Sequence, residues 1–224
     1  MSYRVLRFVL LPLSSVLLLW GCSTGPDFVA KDEPWRKQEE IACLSSGVVK
    51  ESSFLRSRTA LGGPSDYCGA QRPFEMAAAD NGRVALIPAA LVACPMIPQI
   101  NDWVANVAGP AARQHLGGQL VELRVAASYS CRAMNNVPGA KLSEHGHANA
   151  IDISAFVMAD GRTVTIKGGW NGRPEEQAFL REVRVNSCRD FTTVLGPGAD
   201  AYHGDHFHLD LARHGNDGTK RVCK

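Results

Sequence analysis

The chain has no Cys-x-x-Cys pair, no internal repeat, no low-complexity segment and almost no net charge. The first absence makes a cysteine-rich metal site a weak reading. The second excludes a solenoid or propeller. The charge balance excludes nucleic-acid binding through a broad positive field. Arg4 and Arg7 lie in an amino-terminal leader without acidic residues, and setting them aside leaves 22 basic residues against 22 acidic ones. A long apolar run is missing too. Phe8 to Trp20 is short for a membrane span and is interrupted by Pro12 and two serines.

What is present begins with that leader. Arg4 and Arg7 form a positive n-region and Phe8 to Trp20 an apolar h-region, so residues 1–21 read as a signal peptide. The run ends in Leu19-Trp20-Gly21-Cys22, which resembles a bacterial lipobox with Cys22 as the lipidated residue. Ordinary signal cleavage and a retained amino-terminal anchor are the alternatives. In each case the domain is exported, and with lipid on Cys22 it sits on the periplasmic face of a bacterial membrane. Residues 22–41, polar and carrying Pro26, Pro34 and mixed Lys and Glu, read as a tether. Residues 42–224 form one domain with an ordinary apolar fraction and hence a real core.

Six cysteines remain beyond Cys22: Cys43, Cys68, Cys94, Cys131, Cys188 and Cys223. An even number in an exported domain points to three disulfides, with the pairing open. Cys43 to Pro73 should be loops and short strands pinned by such bridges. Pro88 to Val107 has apolar residues largely at helical spacing and reads as a core helix starting at Pro88, with Pro95 and Pro98 marking a kink or a second start. Gln119 to Arg132 and Ala150 to Val157 alternate as strands. Thr163 to Lys167 is a hairpin partner for the second of these. Pro174 to Val185 is helical with Phe179, Leu180 and Val183 buried. Thr192 to Leu195 and Phe207 to Leu211 are further strands. The fold class is α+β, with a central antiparallel sheet and flanking helices.

Two segments carry chemistry: Ser143-Glu-His145-Gly-His147-Ala-Asn149-Ala-Ile-Asp152, and His203-Gly-Asp205-His206-Phe-His208-Leu-Asp210. They hold five of the seven histidines. Imidazole and carboxylate are the ligands of three-residue catalytic zinc sites. Strand alternation puts Phe207, Leu209, Ile151 and Ile153 on the core face. Asp152 and His208 then share the opposite face, side by side if the strands are neighbours. His145 can curl back through the flexible stretch before Asp152. A His145/Asp152/His208 site for one Zn2+ per chain follows. Asp205, three residues before His208, is the candidate base, with Asp210 the fallback acid near the metal. His206 orients the base or binds substrate. Arg132 is the candidate oxyanion donor, because its guanidinium stays charged. Ser143 has no Gly-x-Ser-x-Gly elbow around it and reads as a hydrogen-bonding member of the ligand loop rather than a nucleophile. His115 and His214 read as surface residues.

The pattern Ser-x-His-x6-Asp followed by Asp-x-x-His resembles the LAS-type zinc peptidases. More closely, Tyr129-Ser-Cys-Arg132, Ser143-Glu-His145, Asn149-Ala-Ile-Asp152-Ile and Asp205-His-Phe-His208-Leu-Asp resemble the bacterial extensin-like carboxy-terminal domain family. The resemblance implies a LAS/Hedgehog-like fold with zinc on the sheet, the same three ligands, Asp205 as the catalytic acidic residue and Arg132 at the substrate. It also implies a metallopeptidase acting on peptidoglycan peptides, as carboxypeptidase or endopeptidase. His203 resembles a site histidine of the murein endopeptidases. The family's usual glycine after His-x-x is Ala148 here. The competing reading is a non-catalytic zinc-containing module of the cell envelope.

Overall fold

The computed structural model describes residues 27–63 and 65–224 together with Met1. Apart from Met1, the expected signal peptide lies outside the described residues, and so does Cys22. The core is a mixed sheet in the order β1-β2-β3-β4-β5-β8-β7-β9, with the short strand β6 also paired to β5. The strands are β1 Leu55–Ser57, β2 Phe74–Ala79, β3 Val84–Val92, β4 Leu120–Ala127, β5 Ala150–Met158, β6 Thr163–Thr165, β7 Thr193–Leu195, β8 Phe207–Asp210 and β9 Val222–Cys223. The helices are α1 Pro34–Ser46, α2 Met96–Trp103, α3 Gly109–Leu116, α4 Ile166–Gly169 and α5 Pro174–Ser187, with a π-helical segment joining α2 to α3.

The sheet is not purely antiparallel, because β3 pairs β4 in parallel and so does β7 with β9. The first case has a direct cause. Residues 96–116 form helices between β3 and β4, and a helical crossover returns the chain in the same direction. The apolar run from Pro88 also divides differently from expectation. Ala89, Leu91 and Val92 finish a strand instead of opening a helix, and the helix begins at the second expected start, just after Pro95. A continuous apolar run that holds a buried strand and then a buried helix gives periodicity no boundary to detect.

Local chemistry explains the other elements. In α5, Pro174 presets the first turn, and the Glu176 carboxylate accepts from Arg173 N at 3.3 Å. Its buried residues Phe179, Leu180 and Val183 meet the sheet, and Phe179 lies edge-on to Phe156 of β5 at 4.9 Å. Trp103, Phe191 and Phe207 complete this fully buried aromatic cluster. The indole of Trp103 donates to Ser187 Oγ at 2.8 Å, which satisfies its one polar atom. The helical layer and the large side chains therefore occupy one face of β5 and β8, and polar side chains are left to the other.

The expected tether is in part structured. From Pro34 it is α1, ending at Gly47 in the left-handed conformation with φ 67°. Upstream, Val29 pairs with the 140–142 segment: Val29 N donates to Ala140 O at 2.8 Å, and Leu142 N to Val29 O at 2.9 Å.

The six described cysteines form Cys43–Cys94, Cys68–Cys131 and Cys188–Cys223. Cys68–Cys131 closes the longest loop, at a sequence separation of 63. Replacing both of its cysteines by serine is expected to lower the unfolding free energy by about 4 kcal/mol on the loop-closure relation. Urea unfolding of the oxidised parent and the variant measures this; a loss below about 1 kcal/mol would refute it.

Candidate metal centre

The register of β5 and β8 builds the centre. Asp152 pairs directly with His208, flanked by Ile151 against Leu209 and Ile153 against Phe207. The flanking residues fill the core, so Asp152 and His208 project together from the polar face. His145 arrives from a 3-10 turn, Glu144–His147, whose cap Ser143 accepts from His145 N through its hydroxyl. The turn is fastened on three sides: Ser130 N donates to His145 O, Gly69 N to Gly146 O and Ala93 N to Ala148 O. Gly146 leaves room for the Leu142 side chain, which an added Cβ, 2.6 Å from Leu142 Cδ1, would displace.

Ala148 closes the turn at φ 52° and ψ 28°, fully buried. That left-handed conformation explains why glycine suits the position, and alanine adopts it here at a cost in backbone strain. We expect Ala148→Gly to be near neutral, because relief of about 1 kcal/mol of backbone strain offsets about 0.8 kcal/mol for the lost buried methyl. Ala148→Val is expected to cost about 3 kcal/mol, because a β-branched side chain does not tolerate this φ. Chemical unfolding of both variants checks the pair. A Val variant as stable as the parent would contradict it.

The three donor groups converge. His208 Nδ1 lies 2.9 Å from Asp152 Oδ1, His145 Nε2 3.1 Å from Asp152 Oδ2, and the two ring nitrogens 3.2 Å apart. The outer hydrogen bonds fix which atoms face inward. His145 Nδ1 is 2.6 Å from Ser128 O, a pure acceptor, so Nδ1 carries the hydrogen and Nε2 offers its lone pair. His208 Nε2 is 2.8 Å from Asp210 Oδ2, so Nε2–H donates there and Nδ1 turns to the centre. Asp210 is in turn fixed by Ala212 N, which donates to its other oxygen at 2.9 Å. Ligand orientation by a carbonyl and a carboxylate is the usual support of metal-bound histidine. Tetrahedral zinc with bonds of about 2.0–2.1 Å sets its ligand atoms about 3.3 Å apart, close to what is present.

Electrostatics agree. Burial lowers the proton affinity of His208, but its hydrogen bonds to Asp152 and Asp210 prevail and raise its pKa to about 10. Burial alone would raise the Asp152 pKa, yet hydrogen bonds from His145 and His208 hold its carboxyl well below the usual range. Among the described residues, this trio is the one group of three or more such side chains arranged to hold a cation. A cation entering the set competes with the proton on His208.

The trio opens into a cleft of about 880 Å3. Arg132, Ser143, His203, His206 and Asp210 line the same cleft. Asp205 does not. Its side chain is 62% exposed, and Oδ1 accepts from His206 Nδ1 at 2.9 Å. His206 stands between Asp205 and the centre, its Nε2 3.7 Å from Asp152 Oδ1. His203 is buried, and its Nδ1 lies 2.7 Å from Asp200 Oδ1. Burial is the main cause that lowers its pKa. His147 is half-buried at the cleft edge and burial pushes its pKa down to about 4. His115, expected at the surface, is half-buried and pairs with Glu182 at 2.6 Å. His214, expected at the surface, is half-buried in the cleft wall against Thr193 Oγ1 at 2.7 Å. Among the cleft residues that the sequence reading missed are Asp200, Tyr202, Lys141 and Arg36. Asp200 and Tyr202 directly precede the second histidine segment, so proximity to it was a usable signal.

Residues 41–224 match the family described as Extensin-like protein C-terminus. The chain belongs to this family. The match spans every residue of the trio and all three disulfides of the extensin-like domain, whereas Val29 to Glu40 precede it. Searches of curated proteins and of solved structures found no match.

Proposed function

We propose that the extensin-like domain is a metal-dependent peptidase of the LAS type, hydrolysing amide bonds of peptidoglycan stem peptides or cross-links. The observation that supports it most is the trio itself: three buried donor atoms, oriented from outside, facing a cleft large enough for a peptide. Zinc suits the two imidazoles and one carboxylate. When bound, such an ion polarises the amide carbonyl and acidifies water to a pKa of about 7.

The chain supplies the remaining chemistry. Water attacks the carbonyl carbon and its proton passes to His206 Nε2. Asp205 accepts from Nδ1–H throughout, which fixes the tautomer and steadies the imidazolium. Arg132, in the cleft wall, holds the developing oxyanion. As the C–N bond breaks, His206 returns the proton to the leaving nitrogen, giving an amine and a carboxylic acid that ionises to the carboxylate by releasing the second water proton to solvent. Export with lipid on Cys22 places this activity on the periplasmic face of a bacterial membrane, beside the wall.

The test is digestion of purified muropeptides by zinc-loaded and chelator-treated protein. The proposal requires new amines that appear with zinc, vanish on chelation and return on zinc readdition. A second reading, a non-catalytic zinc-containing envelope module, draws on the exposure of Asp205. Zinc binding without cleavage of any muropeptide would favour it.

A further inference from the structure

Arg36 reaches the turn that carries His145 from outside the matched family region. It sits in α1, whereas the match begins at residue 41. Its guanidinium grips both oxygens of Glu144: Nη1 donates to Oε2 and Nη2 to Oε1, each at 2.6 Å. The two side chains are only 17% and 13% exposed, so water competes little for this fork. A third donor, Nε, is taken by Glu33 at 2.7 Å.

Glu144 opens the turn that carries His145. The same carboxylate accepts from Asn149 Nδ2 at 2.7 Å, and the Glu144 carbonyl accepts from Asn149 N at 3.1 Å. One residue thus ties both ends of the turn, with His145 between them, and Arg36 holds that residue. The helix behind Arg36 is itself fixed. Cys43–Cys94 anchors its far end to the segment just after β3. Buried Glu40 accepts from Gln71 N and Arg72 N at 3.0 and 2.9 Å. Trp35 and Glu39 hold Arg213, whose guanidinium carbon is 4.7 Å from the indole centroid. The turn also contains the strained Ala148, so its shape needs external support.

We propose that Arg36 is a positioning residue of the metal centre. Through Glu144 it sets the turn that aims His145 Nε2, and the segment before the matched region is therefore a working part of the site. The inference rests on the metal-centre reading above. A merely structural ion pair would stabilise the protein equally with and without metal. A positioning pair changes metal affinity and ligand geometry. Lysine cannot replace it, because one ammonium does not reproduce two parallel bonds.

The test uses the full chain and the variants Arg36→Ala, Arg36→Lys and Glu144→Gln. Zinc affinity is measured by chelator competition, the visible spectrum is recorded with cobalt in place of zinc, and the metal-free melting temperature is measured alongside. Arg36→Ala is expected to weaken zinc binding about 10- to 100-fold and to alter the cobalt bands, with Arg36→Lys recovering little of the loss. The double variant Arg36→Ala/Glu144→Gln should be no worse than the weaker single one, since the pair acts as a unit. If Arg36→Ala does not fold, Arg36→Lys carries the same comparison. Variants that bind zinc within about twofold of the parent, with unchanged cobalt bands, would overturn the proposal whatever their melting temperatures. A parent that binds no zinc overturns the metal-centre reading and the proposal with it, a result distinct from unaffected variants of a zinc-binding parent.

Discussion

Asp152→Ala is expected to leave the protein without stoichiometric zinc and to slow muropeptide cleavage by at least about a thousandfold, equivalent to about 4 kcal/mol of barrier. The size follows from the position of this one carboxylate. It touches both histidines of the trio, one with each oxygen, and only 5% of the residue is exposed. Removing it leaves two imidazoles and no charged ligand for a divalent cation. The fold should survive, because the Asp152 pairing with His208 is a backbone register and the core lies on the other face. His208 also keeps Asp210 as a partner. Metal analysis, circular dichroism and cleavage rates on one preparation decide it. Full zinc content in folded Asp152→Ala protein would show that the metal sits elsewhere.

The second large effect separates the two candidates for proton transfer. His206→Ala is expected to lower kcat by about 100- to 10,000-fold with zinc content unchanged. Asp205→Asn should lower it only about tenfold, through loss of tautomer control rather than of the proton acceptor. The order follows from where the groups point. His206 faces the trio, whereas Asp205 faces solvent and His206. The hydrogen bond from His206 also keeps the Asp205 carboxyl below its usual range, so it is ionised at neutral pH. If Asp205→Asn proves more damaging than His206→Ala, the carboxylate acts directly and the cleft must close around it with substrate. Steady-state kinetics on one defined muropeptide, with metal content checked for each variant, settles the order.

The sequence was most legible where one period governs one element. Alternation in β5 and β8 assigns Asp152 and His208 to the same face, and the observed register sets them opposite each other. The spacing of Phe179, Leu180 and Val183 identifies α5 and its buried side. Legibility fails where sequence distance hides the partner. Arg36 meets Glu144 across 108 residues, and a Lys- and Glu-rich stretch gives no sign that one of its cations is clamped. The parallel pairing of β3 and β4 needs the helical crossover to be recognised, which the continuous apolar run from Pro88 obscures. Asp205 has the expected offset from His208, but β8 starts only at Phe207, and the bend before it turns the carboxylate outward. The three disulfides could be counted from composition, but only the fold chooses their partners.

The central claim, hydrolysis of a wall peptide at this centre, is tested most directly by mass spectrometry of muropeptides digested by the zinc-loaded protein in heavy-oxygen water. The expected result is one heavy oxygen in each newly formed carboxylate, with no product from the chelated protein or from Asp152→Ala. Intact muropeptides after digestion by protein holding one zinc per chain would contradict it.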